Sequence, residues 1–392
     1  MTVTAAAPAP RLRHLEHGVL HHDPGWYCGH PRQAVFGHFP GDELVVGHNH
    51  APCAYAAPQD VRHDLGGYHS RAVALLQRSC DQGRAWPAAE EVVVYDETRP
   101  EAWKHCFLYG ARPPRPGLDM FHPDALFYFG RTYLPESRGR TAVCFCLRSG
   151  DRGRTWESTP GVVEHPEGAH LWVHKDCHPV VRLARESTLL AAMSLGQDTG
   201  GGPGLYASTD HGLTWQCRTR IARTDSGRYT YLGLLLLPDG RLQCYALHIA
   251  PGDGVEGVSN AICVCTSLDQ GDTWGPMAPI VGGEETSWPG SRGSGKHYRS
   301  PWPILLGDGR ILVLFARRRL PMGIGAVVSA DGGRTWSREA VIRADAGHPD
   351  LGYPVGCQLT DGSVFVAYYY NLPSPGPVGG VRFIASSRFE LD

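Results

Sequence analysis

Nothing in these 392 residues runs long and apolar, and no stretch approaches the roughly 18 consecutive apolar residues of a membrane span. The N-terminal "MTVTAAAPAPRLRHLEHG" has no apolar core of the kind an export signal needs. Charge of one sign is missing too. With 37 basic residues against 39 acidic ones, there is no electrostatic case for nucleic acid or an anionic membrane as partner. Helical periodicity is weak throughout. These absences lead to the expectation of a soluble cytoplasmic protein whose 12 cysteines are thiols, not disulfides. Cys144/Cys146 and Cys263/Cys265 stand two apart in apolar runs, where a strand turns both thiols to one core face. Zinc pairs favour a wider spacing.

What is abundant is glycine (49) and proline (31), the composition of a turn-rich all-β chain. One octapeptide form, S-x-D-x-G-x-[T/A]-W, occurs five times: SCDQGRAW, SGDRGRTW, STDHGLTW, SLDQGDTW and SADGGRTW. Its serines fall at 79, 149, 208, 267 and 329, spaced by 70, 59, 59 and 62 residues. That period suits a four-stranded sheet better than a helical repeat. In each copy the Asp carboxylate is suited to accept backbone N–H groups of its own turn, and the Gly to take positive φ. The Trp is expected to fold back as an apolar lid.

A second turn signal, D-G between apolar runs, occurs in "LLPDGRLQCYAL", "LLGDGRILVLFA" and "LTDGSVFVAYYY". Each unit thus reads as four antiparallel strands, and repetition about an axis gives a β-propeller. Five octapeptide units plus Gly352 to Asp392 make six blades. The expected organisation is a flexible tail over 1–14 and one propeller domain over 15–392, with a strand near Leu15 to Leu20 completing the last blade.

On these five octapeptides the chain resembles the sialidase superfamily, whose six-bladed propellers carry this motif as the Asp-box. The resemblance spans almost the whole chain and implies a four-stranded, antiparallel, sialidase-like blade. Asp-boxes lie at the blade periphery in that family, so all five copies are read as structural.

Chemistry is expected at the axial mouth, where the innermost strands begin. There the chain repeats a polar or aromatic residue beside a proline: His30-Pro31-Arg32, His122-Pro123, His178-Pro179, Arg299-Ser300-Pro301 and Tyr353-Pro354. Blade four offers Tyr229 to Tyr231 instead. Sialidases use a Tyr nucleophile assisted by a Glu, an Asp acid/base and three Arg on the substrate carboxylate. The resemblance implies Tyr353 as nucleophile, nine residues before Gly362 of the last D-G turn. It puts Tyr231 where the Glu belongs and Arg32 near the first Arg. The second Arg falls near His248, and the third near Gly323, by the Arg317–Arg319 run. The acid/base Asp falls near Tyr68 and His69, with Asp60 and Asp64 close.

Histidine is unusually frequent, 20 in all. His48, His50, His63, His69, His174, His178, His248, His297 and His348 fall at expected strand ends. Beside tyrosine, a histidine can do acid/base work near neutral pH. Alternatively, imidazoles such as His30, His122 and His178 could hold a divalent metal in a His-rich axial pocket; no other cofactor is implied. The catalytic candidates are Tyr353, Tyr231, His178, His69 and Asp64. The substrate-binding candidates are Arg32, Arg299, His30, His122, His48, His50, His248 and His297. The leading expectation is a sialidase-like glycoside hydrolase with a departed site, acting on a small molecule or glycan. A His/Tyr-dependent lyase or other non-hydrolytic enzyme on an acidic substrate, with or without a metal, and a non-catalytic glycan-binding propeller are the alternatives. "GQDTGGGPG" lacks the strand and helix of a nucleotide loop. The Gly282 to Trp302 segment reads as either a lid over the mouth or a disordered insertion.

Overall fold

Six antiparallel sheets stand around one axis, five formed by chain-consecutive strands and the sixth by the last three strands and the first. The computed structural model describes residues 7–61, 71–99, 114–133, 142–167, 173, 178–183, 186–195, 202–222, 227–250, 258–282, 297–376 and 378–392. Blade one holds β2 (Trp26–Gly29), β3 (Phe36–Phe39), β4 (Glu43–Pro52), β5 (Val73–Ser79) and β6 (Val92–Asp96). Both β2 and β3 pair with β4, forming one inner strand interrupted by a 3₁₀ turn at Pro31–Gln33. Blade two holds β7 (Leu126–Tyr133), β8 (Ala142–Ser149) and β9 (Gly161–Val163); no described strand takes its inner position.

Blade three is β10 (Val181–Leu183), β11 (Thr188–Ser194), β12 (Pro203–Ser208) and β13 (Gln216–Arg220). Blade four is β14 (Arg228–Leu236), β15 (Leu242–Ala250), β16 (Val258–Ser267) and β17 (Ala278–Gly282). Blade five is β18 (Tyr298–Leu305), β19 (Ile311–Arg317), β20 (Gly323–Ser329) and β21 (Ala340–Arg343). Blade six is β22 (Gly352–Gln358), β23 (Val364–Tyr370) and β24 (Phe383–Leu391), closed on its outer edge by β1 (Leu12–His21). The fold is a six-bladed, sialidase-like β-propeller.

Closure by the N-terminal strand matches the sequence expectation, with an earlier start. The ladder opens at Leu12 with Leu391, and Ala7 already bridges Ser337. Central strands such as β11, β19, β20 and β23 are buried on both faces, which is why they read as continuous apolar runs. All ten described cysteines are free thiols, and Cys144, Cys146, Cys263 and Cys265 are buried.

Each octapeptide joins the third strand of its blade to the fourth. In the last copy, Ser329 Oγ lies 2.8 Å from Asp331 Oδ1 and accepts Gly333 N–H at 2.8 Å. Thr335 gives Asp331 its N–H at 2.9 Å and its hydroxyl at 2.6 Å. Trp336 Nε1 donates to Gly333 O at 3.2 Å. The Trp is therefore tied to the turn by its indole N–H, and Trp86, Trp156, Trp274 and Trp336 are only half-buried; Trp215 is buried. The turn also reaches the preceding blade: a Cβ on Gly153 (φ 81°) would meet Leu76 at 2.9 Å.

Candidate active site at the axial mouth

Three of the proline-flanked positions, and Tyr231 of blade four, have left-handed backbone. His30, Tyr231, Ser300 and Tyr353 have φ of 58°, 55°, 49° and 52°, left-handed values that cost a non-glycine residue energy. The ladders of blades four, five and six slip at these points, between Thr230 and Gly233, Arg299 and Trp302, and Gly352 and Val355. A bulge bends the strand and re-aims one side chain. Here it brings residues of four blades into ring contact at the axis.

Tyr353 Oη donates to Tyr231 Oη at 2.7 Å, and the two rings meet edge to face at 5.3 Å. The Arg299 guanidinium lies over the Tyr231 ring at 4.7 Å, and Arg318 lies 6.0 Å from the Tyr353 ring. His30 stands edge-on to Tyr353 at 4.5 Å and tilted against Tyr369 at 4.8 Å. Behind them, Asp350 accepts Tyr369 Oη at 2.7 Å, Tyr27 Oη at 3.1 Å and Arg382 Nε at 3.0 Å. Arg318 adds a bond to Tyr369 Oη at 2.9 Å and two to Leu351 O.

Burial pushes the Tyr353 hydroxyl well above the usual phenol range, Tyr231 pushes it the same way, and Arg299 pulls it back. Burial lowers the Arg299 guanidinium, but the Tyr231 and Tyr353 hydroxyls outweigh that and hold it above its usual value. Burial and the Asp350 carboxylate both raise Tyr369. The mouth thus combines two hydrogen-bonded phenols with two guanidinium groups, suited to placing an anionic ligand against a hydroxyl.

Several sequence-chosen residues lie elsewhere. Arg32 does not face a ligand. From blade one its Nε donates to Pro301 O at 3.1 Å and its Nη2 to Leu232 O and His178 O, so the side chain crosses the axis and ties blades three, four and five to blade one. His122 is not at the mouth. It sits in the turn before β7, the second strand of its blade, with its side chain 54% exposed beside Asp124. Its proline lies in the turn that leads into β7 and not at the start of an inner strand, so His122 does not join His30 and His178 in a metal triad. The His178 ring packs on Phe129 at 5.5 Å, facing blade two. His248 lies against Tyr229 at 5.0 Å, across the ladder from it. His297 is half-buried, its carbonyl accepting Arg318 N–H. His48 and His50 are on β4, away from Tyr353, in a group described below. Asp60 is engaged locally by Ala56 and Ala57 N–H groups. His63, Asp64, Tyr68, His69, His174 and residues 283–296 of the Gly282 to Trp302 loop lie outside the described residues.

Asp350, Tyr369 and Arg382 were missed. Asp350 precedes Tyr353 by three residues in "HPDLGYP", and Tyr369 is the middle of a three-tyrosine run whose alternation turns it alone toward Asp350. Those signals were legible. Toward the base, where blade two lacks a described inner strand, a cavity of about 470 Å³ is lined by Phe36, Phe127, His178, Arg182 and Trp302 among others.

A sequence-family model described as a BNR repeat-like domain matches residues 125–366, more than half of the chain. No curated protein matches. Among solved structures, a protein of unknown function from Dyadobacter fermentans superposes with a TM-score of 0.71 at 20% identity, over 98% of this chain and 100% of that one. A Trypanosoma rangeli sialidase, solved as a covalent intermediate with difluorosialic acid, gives 0.59 at 14% identity over 98% of this chain. The chain spans 59% of that sialidase's length. A Penicillium chrysogenum α-L-arabinanase bound to arabinobiose gives 0.57 at 15% identity, over 98% of this chain and 99% of that one. At these identities the likeness is one of fold.

Proposed function

The chain belongs to the BNR repeat-like family, and from that footing we propose that it is a carbohydrate-active enzyme that cleaves an acidic glycoside at the axial mouth. The observation that carries this reading is the Tyr353–Tyr231 hydroxyl pair beneath the Arg299 guanidinium. Arg299 and Arg318 receive the substrate's negative charge, and Tyr353 is the group that attacks the anomeric carbon. A phenol is a weak nucleophile until its proton moves. As the Tyr353 Oη–carbon bond forms and the glycosidic C–O bond breaks, the Tyr353 proton passes to Tyr231 Oη, which gives its own proton to the departing oxygen. Arg299 favours the negative charge that develops on the pair, and water then hydrolyses the tyrosyl–sugar bond and restores the protons. Sialidase-like and arabinanase-like neighbours support a sugar substrate.

The partner of Tyr353 is a phenol where the sialidase pattern has a carboxylate, and this favours a second reading. In it, a Tyr oxygen removes the proton next to a uronate carboxylate that Arg299 neutralises, and the leaving sugar departs by β-elimination. A panel of fluorogenic acidic and neutral glycosides, with uronate polymers followed by ultraviolet absorbance, separates the two: released fluorophore marks hydrolysis, and an absorbing unsaturated product marks elimination. Tyr353→Phe is expected to lower turnover by about 10²–10⁴-fold with the fold intact, the usual worth of a proton-transfer group. Full activity in that variant would overturn both readings. Arg299→Ala is expected to lower turnover of any glycoside, because the tyrosine pair loses its cation, and to raise KM for the acidic substrate alone.

A further inference from the structure

Behind the mouth, where β1 of the closing blade meets β2 and β4 of blade one, three histidines and a cysteine crowd together. Ligand atoms of His21, Cys28 and His48 lie within 4.8 Å of one another. His50, two residues along β4 from His48 and directly opposite Cys28 in the β2–β4 ladder, shares their face. Its ring lies 5.3 Å from that of His21 and 6.0 Å from that of His48. His48 is fully buried, yet neither of its ring nitrogens has a hydrogen-bond partner; His21 Nε2 is likewise buried and without one, and His50 Nε2 has only the Asp23 carboxylate, 3.9 Å away. Three imidazole nitrogens left unpaired in one place is a costly arrangement, because each buried polar atom without a partner forfeits its hydration.

We propose that this cluster is a structural zinc site, with His21, Cys28 and His48 as ligands and His50 completing a Cys-His₃ set. Thiolate and imidazole are the donors that borderline-soft Zn²⁺ selects, and four protein ligands with no open position describe a structural centre. Zn–N and Zn–S bonds of about 2.0–2.3 Å draw the ligand atoms slightly closer than they now stand. The surroundings fit. Gln77 Nε2 lies 2.9 Å from His21 Nδ1 and orients the ring with Nε2 toward the cluster. Zinc at Nε2 would put the ring proton on Nδ1, where the Gln77 amide, turned over, accepts it through Oε1, and His50 is stacked on Trp26 at 4.2 Å. Such outer contacts orient ligand rings. Burial and neighbouring histidines hold His48 neutral, and burial with His21 lowers His50 to about 4, so the imidazoles are ready to bind at neutral pH. Burial keeps the Cys28 thiol protonated, so binding releases one proton from its sulfur as the Zn–S bond forms. Position gives the site its role. The ring of blades is closed by β1 pairing with β24, and the metal would fasten the end of β1 to blade one. On the opposite face of β2, Tyr27 reaches Asp350 of the mouth.

The test uses the full-length chain, stripped with a chelator and titrated with Zn²⁺ or Co²⁺. One equivalent of zinc is expected to bind and to raise the melting temperature. Co²⁺ is expected to give tetrahedral visible bands and a thiolate-to-cobalt charge-transfer band. Cys28→Ser should remove the charge-transfer band, and His21→Gln, at the cluster edge, should weaken zinc binding at least tenfold while the apo protein still melts cooperatively. The proposal is overturned by a melting temperature that zinc does not move, or by a cobalt spectrum that Cys28→Ser leaves unchanged.

Discussion

Single residues in this propeller do unlike work at matching positions. Tyr353 and Tyr231 occupy equivalent bulges and share one hydrogen bond, while Ser300 at the same bulge leaves Arg299, one residue earlier, to reach over Tyr231. Arg32 neighbours His30, the left-handed residue of blade one, but serves the scaffold. Its guanidinium is buried on three backbone carbonyls from three other blades, and such charge-assisted bonds contribute about 1.5–3 kcal/mol each at most. Arg32→Met is therefore expected to destabilise by about 2–4 kcal/mol, since the carbonyls would stay buried without a donor. Substrate KM in the folded fraction should not change. Denaturant melts read alongside saturation curves check this, and a raised KM at unchanged stability would return Arg32 to the binding site.

At the level of the element, the octapeptide turn is a fastener with two faces. Its inner bonds are local, from Ser and Asp to the turn's own N–H groups, and its outer face packs on the preceding blade. Trp336 is half-buried and donates to Gly333 O, so Trp336→Ala loses part of an aromatic burial and one hydrogen bond, about 2–3 kcal/mol. Gly153→Ala fails for another reason. The position has φ of 81° and a new Cβ would meet Leu76 at 2.9 Å, so a loss of about 1–3 kcal/mol is expected from strain and overpacking together. Thermal unfolding of both variants measures it. Wild-type stability in Gly153→Ala would mean that the turn does not press on blade one.

For the whole molecule, the distribution of titrating groups predicts two stages of acid weakening in the metal-free protein. In the unfolded chain the imidazoles of His48 and His50 take up protons near 6.5, but in the fold burial holds His48 well below that and His50 to about 4. Unfolding therefore takes up protons, and stability declines as pH falls from 6.5 toward about 4. The octapeptide carboxylates act lower. Burial works to raise Asp331, but bonds from Thr335 and Ser329 hold it down to about 2, and bonds from Thr273 and Ser267 do the same for Asp269. Their support is complete above the ordinary value of 3.8 and is lost as pH falls from there toward 2. Denaturant midpoints across this range, in chelator, should show both declines. A midpoint flat from pH 6.5 to 4 would contradict the first.

The sequence by itself determined the architecture, because five copies of one turn and the D-G hairpins are local signals whose meaning does not depend on distant residues. It also placed Tyr353 and Tyr231, through their spacing from those turns. It misplaced His122, since a proline beside a histidine looks the same at an inner strand's start and in a turn leading to a later strand. It assigned Arg32 to a ligand, since nothing local says that three carbonyls from other blades wait across the axis. The grouping of His21, Cys28, His48 and His50 was hidden for the same reason: His21 belongs to the strand that closes the last blade, and only ring closure brings it against the first. Contacts within a blade are written in the spacing of the chain. Contacts across the axis and at the seam exist only once the six sheets have closed, and there the tertiary structure decided.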